Sequence, residues 1–426
     1  MPRRTLVIIS QVFIPDPAAV GQYMASVAIA MSRRGHRVKV YTSDRGYDNP
    51  ATQYPRLEFI EGAEIRRLGL TSFGKRSIPM RIAGSASFML QVLFHLLAER
   101  KPGAIFFSTS PPLVGFVASI IGWIRRVPVA YWAMDLNPDQ LIALGKLKPS
   151  HPAAWILERV NRFILKRAAL VVALDRFMAQ RLENRLPLSA KMLVLPPWPL
   201  EDQIHGNSAD HRSWPARRDE NPFRQQHGLI GRFVIMYSGN HSPSNPLETL
   251  LQAMLATRDD PTVCFAFIGG GVAKKQVEAH VRQHGLTNVL LLPYQPIETL
   301  RYSLAAADVH VASLGGEMVG IIHPCKVYGA MAAGRPILYL GPSPSHIDDL
   351  IHRHHIGWQI SHGDVAGAVR TIEQIRQTPM EQLGEMGERA ASIVDGHLSQ
   401  RRLCGAMCDR LEQSLRLRSA RNASPR

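Results

Sequence analysis

Lys326 opens a short helical pattern in GIIHPCKVYGAMAAGRPILYLG, residues 320–341, directly after His323, Pro324 and Cys325. A cation at the amino end of a helix faces the positive end of the helix dipole. The first backbone N–H groups of that helix also lack partners inside it. A bound anion resolves both conflicts, so the stretch reads as a phosphate site. Gly315, Gly316 and Gly320 allow a tight or mobile loop ahead of it, and Gly334 ends the helix.

Three other loops in the same half of the chain are unusual. In MYSGNHSPSNPLETLL, Gly239 and Asn240 allow close backbone approach, and His241 follows with further polar side chains. The same residues also suit a long loop before a well-capped helix. In FIGGGVAKKQVEAHV, Gly269, Gly270 and Gly271 lie between a strand and a helix, where backbone N–H groups can cradle a phosphate. Glycine runs after strands are common, and Lys274 and Lys275 also fit a solvated face. In LLLPYQPIETL, Pro293 and Tyr294 end a strand, and Tyr294 can stack on a base or pack on the next helix.

The first half offers VAYWAMDLNPDQL. Its apolar run delivers Asp135 at the carboxyl end of a strand, with Asp139 one turn later. Either acid can act as a base or orient a hydroxyl, and either can cap the helix that follows. The loop IPDPAAVGQYM, with Gly21 near the next helix start, can receive an acceptor.

These residues need elements to hold them. Strand patterns fall at 5–10, 37–42, 104–108, 127–132, 169–173 and 191–195, with helical patterns at 20–34, 79–99, 112–124, 152–167 and 176–185. The polar stretch 201–228 has no period and reads as a linker or long loop. Alternation resumes with strands at 232–238, 262–268, 288–292, 308–312, 335–340 and 357–360. The helices between and after them fall at 245–257, 273–284, 296–304, 324–333, 364–377, 380–394 and 398–418. Such alternation predicts two doubly wound α/β domains, whose ligands sit beyond the carboxyl ends of the strands. Two such sheets face to face make the cleft between them the natural site.

The 426 residues suit two domains, and 46% apolar with 20% charged residues is ordinary globular composition. Four cysteines are too few for a disulfide scaffold and lack zinc-ligand spacing, which fits a reducing, cytoplasmic setting. MPRRTLVIISQVFI has the arginines and apolar run of a signal peptide, but TLVIIS also reads as a buried first strand. Apolar runs such as LVGFVASIIGWI look too short to span a bilayer. Residues 1–200 carry net charge +15, residues 201–400 carry −4 and residues 401–426 carry +5. The basic front half points to an anionic partner. The segment 72–101 mixes Lys75, Arg76 and Arg81 with Phe73, Phe88, Met89, Leu93, Phe94 and Leu97. It suits either an anionic membrane surface or a core helix. Nucleic acid is not expected, for want of an aromatic-and-basic code or a helix-turn-helix signal.

With these motifs in place, the chain resembles the GT-B retaining glycosyltransferases of glycosyltransferase family four. Within it, the likeness is to bacterial polysaccharide enzymes of the colanic-acid and aminosugar kind. It covers almost the whole chain and rests on AVGQYMASVAIAMSRRGHRVKVYTS, DLNPD, YSGNHS, FIGGG and HPCKVYGAMAAGRPIL. The last is similar to the Pro-Ser-Lys-x-x-Glu-x-Met-Ala-x-Gly donor motif.

The resemblance implies an α/β, GT-B fold of two Rossmann-like domains. Residues 1–200 would bind the acceptor and 229–397 a nucleotide sugar, with the C-terminal helix crossing back to the first domain and 419–426 a flexible tail. It implies that Lys326 neutralises the donor diphosphate, with Pro324 and Gly320 beside it and His323 sharing the charge. Gly239, Asn240 and His241 would face the sugar or its phosphate, Gly269–Gly271 with Pro293 and Tyr294 the nucleotide, and Asp135 the reacting sugar. Gly21 and Asp139 are the acceptor-side candidates. The co-substrate would be linked through UDP or GDP, without metal or other cofactor, and the acceptor a lipid-linked glycan at the inner membrane face.

Two departures stand out. Gly329 replaces the donor-motif Glu, and the Arg…Lys pair common after the first donor-domain strand is absent from GNHSPSNP. Glu317, His241 and His323 are the candidates to compensate. A nucleotide-sugar epimerase and a non-catalytic sugar-nucleotide binder or scaffold are the other readings of the same fold.

Overall fold

The run TLVII becomes β1 (Thr5–Ile9), with all five residues buried. An apolar run without alternation calls for such a place, covered on both faces. It is followed by α1 (Ala19–Arg33), β2 (Arg37–Ser43), β3 (Leu57–Ile60), β4 (Ala63–Leu68), α2 (Ile78–Ala98), β5 (Pro102–Ser108) and α3 (Val114–Arg125). Then come β6 (Val129–Trp132), α4 (Asp139–Ala143), α5 (Pro152–Arg167), β7 (Leu170–Ala173), α6 (Arg176–Glu183) and β8 (Met192–Val194). Their sheet has the order β3-β4-β2-β1-β5-β6-β7-β8, parallel throughout except where β3 meets β4.

This computed structural model describes residues 5–16, 18–46, 50–72, 78–99, 102–199 and 218–415. The expected tail at 419–426 lies outside them, as do Phe73, Lys75 and Arg76. Two units form: Met1–Pro197 with Arg401–Arg426, and Trp198–Gln400.

The second unit holds α7 (Pro222–Gln226), β9 (Phe233–Ser238), α8 (Glu248–Ala253), β10 (Val263–Ile268), α9 (Lys274–His284), β11 (Val289–Leu292) and α10 (Ile297–Ala305). It continues with β12 (Val309–Ser313), α11 (Lys326–Ala332), β13 (Ile337–Leu340), α12 (His346–His354), β14 (Gly357–Ile360), α13 (Val365–Gln377) and α14 (Met380–Gly396). Its six strands are all parallel, in the order β11-β10-β9-β12-β13-β14. That is the doubly wound order in which the direction of winding reverses between the first and fourth strands. In such sheets a ligand is expected beyond the ends of β9 and β12.

The structure corrects several sequence expectations. Residues 57–68 form an antiparallel hairpin, β3 with β4, where no strand was expected. Leu57 and Phe59 are exposed on this edge, so no buried stripe marks it. Its turn, Glu61-Gly62, has positive φ at both residues (47° and 82°), as a tight hairpin requires. The helix α12 was also missed; it is capped by Ser345, whose side chain accepts the Asp348 N–H.

The expected linker 201–228 is part of the second unit over its described residues, 218–228. Arg224 is fully buried there and donates to the carbonyls of Ala306 (2.7 Å) and Leu229 (3.0 Å) and to Asp308 (3.4 Å). Asp308 also accepts the Val234 N–H at 2.7 Å and lies 3.3 Å from Arg218. Among the described residues, Arg218 and Arg224 thus form a buried ionic cluster with Asp308 at the start of β9.

Pro79–Ala98, with mean hydropathy 1.3, is long and apolar enough by length and composition to cross a bilayer. This corrects the expectation that every apolar run is too short. Even so, Phe88, Val92 and Leu96 of this helix are fully buried, and it packs on α3.

The last helix, α15 (Gln400–Ser414), completes the first unit. Leu403, Cys404, Met407, Cys408 and Leu411 are buried, and both cysteines are free thiols. Arg34 binds Asp409 (2.6 Å), Glu412 (3.2 Å) and the Gly405 carbonyl (3.1 Å), while His36 Nε2 lies 2.7 Å from Glu412. Replacing the fully buried Leu411 by Ala should therefore destabilise the first unit by about 2–5 kcal/mol. The check is the urea midpoint of that unit; a cost well under about 1 kcal/mol would show that the helix does not close its core.

Candidate functional site

At the carboxyl end of β9 the backbone turns at Gly239, φ 128°. A Cβ there would lie 2.6 Å from Cε of Lys326, so the lysine side chain occupies the space a larger residue would need. The neighbouring loop after β10 is fitted just as closely. A Cβ on Gly269 would stand 2.1 Å from the Gly239 carbonyl oxygen, and one on Gly271 would stand 2.3 Å from that of His241. A Cβ on Gly270 would meet the ring of Tyr294 at 2.9 Å. The loops after β9 and β10 are thus fitted together at Gly269 and Gly271, where φ is positive and a Cβ would strike backbone.

Lys326 is the first residue of α11, whose N-cap, Cys325, makes no side-chain capping bond. Its ammonium lies 5.0 Å from the centre of the Tyr237 ring, a cation–π contact. Among the described residues no carboxylate pairs with it. Burial lowers its pKa from 10.5 to about 8. The lysine is therefore a partly desolvated cation at the carboxyl ends of β9 and β12, where the sheet order puts the ligand crevice.

His241 is buried beside it. Its Nδ1 lies 3.2 Å from the Gly270 carbonyl, and its backbone N–H donates to the same oxygen at 2.7 Å. With the proton on Nδ1, Nε2 is left as a buried acceptor that no protein group satisfies. Burial, aided by the cations Lys274 and Lys326, lowers the pKa of His241 to about 4, so the ring is neutral near pH 7. The hydroxyl of Ser244 is likewise buried without a partner. Unsatisfied buried groups cost free energy, and two of them in one loop mark a place where packing alone does not explain the residues.

Other expected residues have different positions. Lys274 is not a solvated face: it donates to the Gly269 carbonyl at 2.6 Å and to that of Leu292, tying two loops. His323 was expected to share charge with Lys326. Its Nε2 lies 2.6 Å from the Tyr328 hydroxyl and its ring stacks on His346 at 3.8 Å. Pro324 is buried beside it, Glu317 is exposed on the turn Gly316–Met318, and Gly320 takes φ 69°. Asn240, Pro293 and Tyr294 are exposed. Sequence reasoning missed Tyr237, which lies within a strand and reads as core. It also missed the brace formed by Asn245 Nδ2 to the Ser313 carbonyl and Ser313 Oγ to the Pro246 carbonyl, both at 2.5 Å.

In the first unit, Asp135 follows β6, and its backbone N–H donates to Thr109 Oγ1 at 3.3 Å. Burial raises its carboxyl pKa from 3.8 to about 6. The second acid of the motif, Asp139, is paired with Arg185 and, at 3.5 Å, with Arg181, which ties α4 to α6. Gly21 lies inside α1, where a Cβ would come within 3.0 Å of the Phe13 backbone. It lets the helix touch the preceding loop.

Comparison with known proteins follows from this geometry. Residues 18–198 match the family model "Glycosyl transferase 4-like domain", and residues 232–377 match "Glycosyl transferases group 1". The chain is 24% identical over 285 residues to the probable glycosyltransferase WbjE of Pseudomonas aeruginosa, covering 67% of this chain and 69% of that protein. It is 22% identical over 334 residues to WcaI of Escherichia coli strain K12, a putative colanic acid biosynthesis glycosyl transferase, covering 76% and 79%. Among solved structures, Alr3699/HepE of Anabaena in complex with UDP-glucose superposes with a TM-score of 0.67 at 14% identity, covering 96% of this chain and 99% of that one.

Two measurements check the electrostatics. The rate at which an amine-directed reagent modifies Lys326, followed by peptide mass spectrometry, should titrate with a midpoint near pH 8; a midpoint near 10 would remove the desolvated cation. For Asp135, a raised folded pKa stabilises only while the acid is protonated, and that contribution is lost as pH rises through about 6. Asp135→Asn should thus be more stable than wild type at pH 7, by on the order of 1–3 kcal/mol, with the gain gone below about pH 4. Denaturant melts at the two pH values decide it.

Proposed function

Because the chain is a glycosyltransferase of the GT-B fold, a 4-like domain ahead of a group 1 domain, we propose that it transfers a sugar from a nucleotide diphosphate donor to a lipid-linked glycan. The reaction would retain the anomeric configuration and serve surface polysaccharide assembly at the cytoplasmic face of the cell membrane. The observation that carries this reading is Lys326: a desolvated ammonium without a carboxylate, at the switch point of a doubly wound sheet. Its charge, with backbone N–H groups of the glycine loops, would stabilise the leaving diphosphate without a metal.

The two relatives named above are described as a probable glycosyltransferase and a putative colanic acid biosynthesis glycosyl transferase, and the Anabaena protein was solved with UDP-glucose. The first two support a polysaccharide product, and the third supports a UDP-linked donor, with GDP the alternative. Neutral His241, its Nδ1 proton committed to Gly270, would offer Nε2 to a sugar hydroxyl. Asp135 would orient a hydroxyl of the sugar or the acceptor. At Gly329, where similar enzymes carry Glu, a Cβ would meet only Leu304 Cδ1, at 3.7 Å, so the missing carboxylate leaves space there. Exposed Glu317 is the acid that would serve the donor in its place.

The test is a panel of UDP- and GDP-linked sugars, first by thermal shift and then by release of nucleotide diphosphate with a lipid-linked acceptor. One donor should raise the melting temperature, and its nucleotide should be released only with acceptor. Lys326→Gln should lower kcat/KM by roughly a hundredfold or more while the protein stays folded. An isomerised sugar nucleotide without transfer, or binding without turnover, would overturn the proposal.

A further inference from the structure

Three neighbouring helices of the first unit turn apolar stripes outward. On α2, Ile82, Leu90, Phe94 and Leu97 are exposed, although Phe88, Val92 and Leu96 on its other side are fully buried. The exposed positions recur at helical spacing, so this helix is apolar on two faces and only one packs inward. On α3, Phe116, Trp123 and Ile124 are exposed; on α5, Trp155 and Ile156. The helix α3 packs on both α2 and α5. Phe116 also meets Phe163 edge-on at 5.6 Å, and Arg125 donates to the Leu96 and Leu97 carbonyls. The stripes therefore adjoin.

The cations of the same helices decide what covers this surface. They carry Arg81, Arg125, Arg159, Arg162, Lys166 and Arg167 against a single acid, Glu158. Glu158 already lies 3.1 Å from Arg162 and 3.6 Å from Arg185. Two of the arginines lie flat on the exposed indoles: Arg159 is 4.1 Å from the centre of Trp155, and Arg167 is 4.7 Å from that of Trp123. A second copy of this chain docked face to face would set these arginines against one another with almost no acid to separate them. A bilayer has no such conflict. Indoles settle at headgroup depth, aliphatic side chains go below them, and guanidinium groups reach the phosphates.

We propose that the outer face of α2, α3 and α5 docks on an anionic phospholipid bilayer, with Trp123 and Trp155 at the level of the headgroups. This deepens the reading of a membrane-side glycosyltransferase, on which it rests only for its purpose. A surface-bound enzyme would meet a lipid-linked acceptor by diffusion in two dimensions.

The experiment is flotation of the full chain with vesicles of phosphatidylcholine alone or mixed equally with phosphatidylglycerol. Wild type should float with the mixed vesicles only, and less so at high salt. The variant Arg159→Gln with Arg162→Gln and Arg167→Gln should bind about fivefold more weakly per arginine removed. Trp123→Ser with Trp155→Ser should weaken binding at least roughly tenfold at unchanged charge. Both variants should keep wild-type melting and acceptor-dependent nucleotide release with a water-soluble acceptor.

Equal binding to both vesicles, undiminished binding by both variants, or a wild-type dimer that the tryptophan variant dissociates would overturn the proposal. A wild type that floats with mixed vesicles but releases no nucleotide would overturn the transfer reading and leave the docking face standing.

Discussion

The second unit's site depends on one position, Gly239: its φ of 128° strains any side chain, and the methylenes of Lys326 occupy the space beside it. That contact brings the ammonium from the start of α11 across to the end of β9. The absence of side chains at Gly269 and Gly271 then lets the next loop close on the same turn. A cation held this way is cut off from much of its water, and its lowered pKa records the cost. In a sheet whose winding reverses between β9 and β12, the cost falls where a ligand's charge can offset it.

A second cost of the same kind lies in the first unit. Asp135 is a carboxyl that burial keeps partly protonated, without a cation beside it. Asp139, four residues on, is paired with two arginines. The contrast separates the two acids of DLNPD by environment. The paired one joins helices, and the desolvated one has the poise expected of a group that moves or orders a proton.

Much of the fold was legible because burial on both sheet faces forces long apolar runs, and β1, β5, β9 and β10 are such runs. The hairpin at 57–68 escaped because β3 lies on an edge, with Leu57 and Phe59 facing out, and β4 carries Glu64, Arg66 and Arg67 among its six residues. The stretch before β9 misled for the opposite reason: Arg224 is a typical surface residue whose partners, Asp308 and the Ala306 carbonyl, come from more than eighty positions away. In the site, Lys326 was found because it breaks a local helix rule, and the glycines because they cluster after strands. Tyr237 carried no such mark, since an aromatic residue in a buried strand needs no function to explain it. His323 stood out by type, but its neighbours Tyr328 and His346 come into view only in the fold.

The embrace of Arg34 and His36 by Asp409 and Glu412 has a consequence for synthesis. A ribosome emits the eight-stranded half first, but that half cannot bury the flank under α15 until some two hundred intervening residues have emerged. The six-stranded half is contiguous from Trp198 to Gln400 and waits for nothing beyond its own length. Order of emergence and order of completion are therefore reversed: the portion made second can mature first, while its predecessor remains a half-finished core in need of protection.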